Sequence, residues 1–111
     1  MIEAEYEWTP TERMTMEKII DDDHVNINHI VVPPGESVPT HASNSHVHQI
    51  IVRGTLSLSL EDEEFHDHPS GTIVAVPFNK KMIIRNQGNE TLEFFVVKAP
   101  NPRDMPETKD V

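Results

Sequence analysis

Polar and apolar residues alternate along much of this chain, with the period of a β-strand rather than a helix. The run from Val47 to Leu60 shows it most clearly. Ile50, Val52, Leu56, Leu58 and Leu60 share one parity, and Gln49, Arg53, Thr55, Ser57 and Ser59 share the other. Gly54 interrupts the run, which predicts a bulge or bend. A second alternation begins at Val25, passes through Ile27 to Ile30, Val31 and Val32, and stops at Pro33-Pro34-Gly35. Two prolines cannot donate to a ladder, and the glycine permits a tight turn. Ile73 to Val76, Met82 to Arg85 and Leu92 to Val97 read as further strands. Glu61 to Glu64 and Asn86 to Asn89 read as turns between strands. No segment carries a convincing long helix.

The two ends read differently. Thr9-Pro10-Thr11-Glu12 has the form of a capping box with proline at the first helical position, predicting one helical turn. β-Branched Ile19 and Ile20 predict a strand soon after, and Asp21 to Asp23 a solvated turn. The tail from Ala99 carries Pro100, Pro102 and Pro106, and is expected to run extended or to fray. Short strands punctuated by Gly, Pro and Asn indicate an all-β sandwich or barrel. The expected division is an N-terminal segment over 1–24, a barrel over 25–98 and a tail over 99–111.

A chain of 111 residues fits one domain with a modest core. It has no cysteine, which excludes disulfides, thiolate nucleophiles and Cys-type zinc sites. Its formal net charge is −10, from 19 acidic and 9 basic residues. That argues against nucleic acid and against an anionic membrane, both of which need a basic surface. The start is acidic and has neither a basic region nor an apolar run, and no apolar stretch is long enough for a membrane span. A cytoplasmic protein is expected.

Two stretches carry candidate chemistry. The first, from Pro34 to Gly54, reads PGESVPTHASNSHVHQIIVRG; the second, from Gly71 to Asn86, reads GTIVAVPFNKKMIIRN. Gly35, His41, Gly54, Gly71, Pro77 and Asn86 resemble, in identity and spacing, the two signature motifs of the cupin superfamily. The resemblance covers residues 25–98 and implies a jelly-roll β-barrel, or double-stranded β-helix. It also implies a homodimer, often with an N-terminal strand exchanged between copies, which would give Tyr6 and Trp8 a buried role.

In that family two His and a Glu of the first motif and a His of the second hold a metal. Carried over, only His41 remains; Ser43, Val47 and Met82 stand at the other three positions. Val47 cannot ligate, and Met82 offers only a soft thioether. His46 and His48 flank Val47, however, and residues two apart on a strand share a face. A one-residue shift in the turn after His41 would bring His41, His46 and His48 together as a three-imidazole site for one divalent metal: Zn, Fe, Mn, Ni or Cu. Without the shift Val47 faces inward, and the interior is lined by Ser43, Val47, Gln49, Ile51 and Met82.

Two functions follow. One is a barrel that binds a small molecule with no metal and no assigned reaction. The other is a metal-dependent enzyme of oxygenase, isomerase or decarboxylase type at His41, His46 and His48. His66 and His68 form another pair two residues apart and are expected at a solvated strand end. No nucleophile elbow, phosphate loop or interior carboxylate pair is present.

Overall fold

The computed structural model describes residues 2–106. Nine strands form two antiparallel sheets. In chain order they are β1 (Thr15–Asp21), β2 (Asn26–Val32), β3 (Ser37–Ala42), β4 (His46–Arg53), β5 (Thr55–Leu60), β6 (His66–Pro69), β7 (Ile73–Val76), β8 (Lys81–Arg85) and β9 (Leu92–Ala99). The larger sheet has the order β1-β2-β9-β4-β7, and the smaller β3-β8-β5-β6. Chain segments cross repeatedly from one sheet to the other, and the two inner faces close on a shared core. The all-β jelly-roll expectation holds.

Pleating decides which residues enter that core. On β4 the odd positions Val47, Gln49 and Ile51 are buried, while His46, His48 and Val52 are exposed. On β9 the even positions Leu92, Phe94 and Val96 are buried. Met82 and Ile84 of β8, Leu56 and Leu58 of β5, and Val76 of β7 complete the packing.

Inward parity therefore changes from odd to even across Gly54, so Val52 and Leu56 do not share a face as the alternation suggested. Gly54 has φ +76°, and a Cβ there would lie 2.5 Å from the Thr91 carbonyl oxygen. Only glycine fits both the conformation and the gap. The β4–β9 register shifts at the same place, between Ile51 and Arg53.

Strand β3 was not foreseen, because Pro39 breaks its pattern. It is an edge strand that pairs only with β8, and its register shifts between Val38 and His41. A proline without a donor is tolerated on such an edge.

The expected helical turn at Thr9 to Glu12 does not form. The Thr9 N–H donates to Glu17 at 2.8 Å instead of to Glu12. Glu12 pairs with Arg53 at 2.7 Å and accepts from Thr91 at 2.9 Å. Tertiary partners outcompete the local cap. Met14 turns in against the core, and residues 2–13 thus form an arm on the outer face of the larger sheet. There Trp8 meets Phe95 edge-on at 4.8 Å, and fully buried His29 contacts Glu93 at 2.6 Å.

The segment boundaries move as well. β1 pairs with β2 of its own chain, so the barrel begins at Thr15 rather than residue 25. The tail is tied down as far as it is described. Buried Asn101 donates to Asp21 at 2.7 Å and to the Asp22 carbonyl at 2.8 Å. Asn44 donates to the Pro102 and Pro106 carbonyls, each at 2.8 Å. Residues 107–111 of the expected tail lie outside the described residues.

Candidate functional site

The turn between β3 and β4 decides whether the three imidazoles can meet. Ser45 is fully buried there; its N–H donates to the Ser43 hydroxyl at 3.2 Å, and its own hydroxyl donates to the Pro100 carbonyl. So anchored, the turn delivers Val47 to the core with 1% of its surface exposed. Alternation then sends His46 and His48 outward. His46 packs edge-on against Phe78 at 5.5 Å, and His48 is exposed. The one-residue shift does not occur, and His41, His46 and His48 do not form one site. No group of three or more His, Asp or Glu suited to a metal ion is found among the described residues.

The interior positions Ser43, Val47, Gln49, Ile51 and Met82 are each no more than 5% exposed. They are packed core rather than the walls of an open pocket. Met82 stands opposite His41 in the β3–β8 ladder. Its sulfur accepts from the Gln49 amide at 3.7 Å. Gln49 Oε1 is buried and has no hydrogen-bond partner. One imidazole, one hydroxyl and one thioether, with a valine at the carboxylate position, do not make the family's metal site.

An open space does exist beside this packed centre. A cleft of about 370 Å³ runs between β3 and the β1–β2–β9 end of the larger sheet. Met16, Ile30, Val38 and Pro39 form its apolar wall. Its polar groups are Lys18, Asn28, His41 and Lys98. Of the anticipated site residues, only His41 reaches it.

His41 Nδ1 lies 3.0 Å from the Pro39 carbonyl oxygen. A carbonyl only accepts, so Nδ1 carries the hydrogen and neutral Nε2 keeps its lone pair. Burial holds the imidazole below its ordinary pKa, outweighing that hydrogen bond, and the charge of Lys98 adds to the effect. Burial likewise lowers the Lys98 ammonium, with a smaller contribution from Lys18. Lys18 has an ion pair with Asp21 at 3.5 Å.

Sequence reasoning missed Lys18, Asn28 and Lys98. The signal for Lys98 was its parity: it continues the inward series Leu92, Phe94, Val96 at a position where an apolar residue would be expected. The continuous apolar run through Val97 concealed it. His66 is exposed and His68 partly so; both border a separate hollow of about 210 Å³ with Glu63 and Glu64. No helix among the described residues is long and apolar enough to cross a membrane.

No protein-family model matches the chain. It is 50% identical over 111 residues to the uncharacterized protein MJ0764 of Methanocaldococcus jannaschii, covering 99% of this chain and 96% of that protein. It matches the crystal structure of an RmlC-like cupin family protein with a double-stranded β-helix fold, from the same organism, with a TM-score of 0.88. The two are 52% identical, over 93% of this chain and 95% of that one. An uncharacterized double-stranded β-helix protein of Klebsiella pneumoniae shares the fold at 13% identity, with a TM-score of 0.77 over 92% of this chain and 90% of that one. A cupin superfamily protein of Desulfitobacterium hafniense does so at 17% identity and a TM-score of 0.70, over 83% and 82%. Through the glycine-spaced motifs, the two-sheet barrel and the half-identical archaeal relative, the chain belongs to the RmlC-like cupin family.

Proposed function

We propose that this protein is a small-molecule-binding cupin whose ligand occupies the cleft between β3 and the β1–β2–β9 end of the larger sheet. One observation carries the reading. The barrel centre is filled by Val47, Gln49 and Met82, while a cleft of about 370 Å³ opens beside it onto His41. An apolar wall with a few convergent polar groups suits a small organic ligand, and the volume falls at the lower end of the usual range. His41 Nε2 would accept a hydrogen bond from the ligand. The reading assigns no reaction. The metal-enzyme alternative through His41, His46 and His48 finds no support in this geometry.

Thermal-shift screening of a metabolite set against the wild type and Val38→Trp tests this. A ligand that raises the melting temperature of the wild type but not of the filled variant supports it. Equal shifts in both proteins, or no shift from any compound, would overturn it.

The proposal includes a homodimer and a cytoplasmic location. The arm supports the first: Ile2, Tyr6 and Trp8 are exposed apolar side chains on a segment that contacts the sheet through few residues. A second copy would cover them. Light scattering that gives a monomer mass across a range of concentrations would remove this part. The acidic charge and absence of cysteine suit the location.

A further inference from the structure

Resting on the reading of this cleft as a small-molecule site, we infer that its ligand is an organic anion, with a carboxylate or phosphate head facing Lys98 and Lys18 and an apolar body against Met16, Ile30 and Val38. The first ground is charge. The chain carries 19 acidic residues against 9 basic ones, yet no acidic residue lines the cleft. Two lysines do. A pocket of one sign with low-dielectric walls concentrates the opposite ion.

The second ground is Lys98 itself. It is partly buried on an inward position of β9, the middle strand of the larger sheet, and has no ion pair or side-chain hydrogen bond among the described residues. Burying an ammonium without a partner is unfavourable, and a like charge nearby makes it worse. The stem of a lysine can lie along apolar surface while its head reaches water. That explains why the residue is tolerated, but not why the neighbouring cation, Lys18, converges on the same cleft. An anion would give Lys98 the partner it lacks, and Lys18, although paired with Asp21 at 3.5 Å, adds positive charge on the same side.

The third ground is His41. With Nδ1 donating to Pro39, its neutral ring presents an acceptor rather than a second charge. The ligand would therefore bear a hydroxyl or N–H donor as well as its anionic head.

Two-dimensional amide NMR of the full chain tests this, with 4-hydroxyphenylacetate, 4-hydroxyphenyl phosphate and the neutral 4-hydroxyphenylacetamide as probes, each carrying a hydroxyl donor. One of the anions should shift the cleft amides of Ile30, His41 and Lys98 at millimolar concentration. It should bind about tenfold or more tightly than the amide, and Lys98→Met should remove that advantage, while Lys98→Arg retains it. Whichever anion binds better identifies the head group. Lys18→Met supplies a second variant at an exposed position of the edge strand β1, with the same direction expected. 4-Hydroxyphenylacetamide binding the cleft as tightly as both anions would overturn the anionic assignment and leave the cleft a ligand site. No cleft shifts from any probe would overturn both readings.

Discussion

Gln49 and Met82 meet across the barrel, the amide of one sheet on the sulfur of the other at 3.7 Å. They occupy the region where the family holds a metal, and they close it by packing. Met82→Ala should therefore cost about 2–5 kcal/mol, the usual range for truncating a fully buried side chain. Gln49→Leu should cost little or even stabilise, because it removes a buried carbonyl oxygen that has no partner. Urea denaturation of the two variants measures both. A large loss for Gln49→Leu would show that the carboxamide has a bonded role.

If the scaffold is intact and only the donors are absent, restoring them should restore a metal site. Ser43→His, Val47→Glu and Met82→His together, with His41 retained, should take up close to one divalent metal per chain. The same protein without metal should be destabilised by its buried carboxylate. His46→Ala/His48→Ala should leave metal content at the wild-type level. Elemental mass spectrometry decides the point, and metal lost from that double variant would reinstate the three-imidazole site.

Gly54 and Gly71 make a matched pair. Both have positive φ, at +76° and +88°. A Cβ on Gly71 would meet nothing within 4 Å, whereas one on Gly54 would strike backbone of Thr91 and Leu92. Gly71→Ala should cost about 1 kcal/mol of conformational strain, and Gly54→Ala several times more because backbone must move. Equal losses in thermal denaturation would refute the close approach.

That glycine also shows how much was legible. The existence of the strands β2, β4, β5, β7, β8 and β9 follows from alternation and turn residues alone, and the motif spacing supplied the barrel. Facing is harder to read. One glycine inverts the inward parity, and no periodicity argument detects that without knowing the neighbouring strand. His41 was legible as a site residue because its spacing is preserved. Lys18, Asn28 and Lys98 were not, because Lys18 and Asn28 face each other on two adjacent strands whereas Lys98 lies on β9, much later in the chain, and the three converge only through the β1–β2–β9 pairing. The helix expected at Thr9 failed for a similar reason, since Glu12 bonds to residues that its local context does not contain.

The cleft should be visible in the pH dependence of stability. Folding lowers the proton affinity of Lys98, so the unfolded chain binds more protons as the pH rises towards the ordinary lysine value of 10.5. Stability then increases with pH in that window. Below that window the partly buried charge opposes the fold. Lys98→Met should thus be more stable than wild type near neutrality, and its advantage should shrink towards alkaline pH. His41 is also lowered, so protonation disfavours the fold as pH falls below about 6.5. His41→Gln should lose less stability there than wild type. Melting curves across pH test both signs; an advantage of Lys98→Met that grows with pH would contradict the first.

Trp8 is the chain's single tryptophan, and it rests on Phe95 of β9 rather than in the core. Its emission therefore reports on the arm and not on the barrel. Release of the arm would red-shift the fluorescence while the far-ultraviolet signal of the strands stayed constant. If copies exchange arms, the spectrum would also depend on dilution. Docking of the arm and melting of the barrel can accordingly be followed as two optical signals in one unlabelled sample.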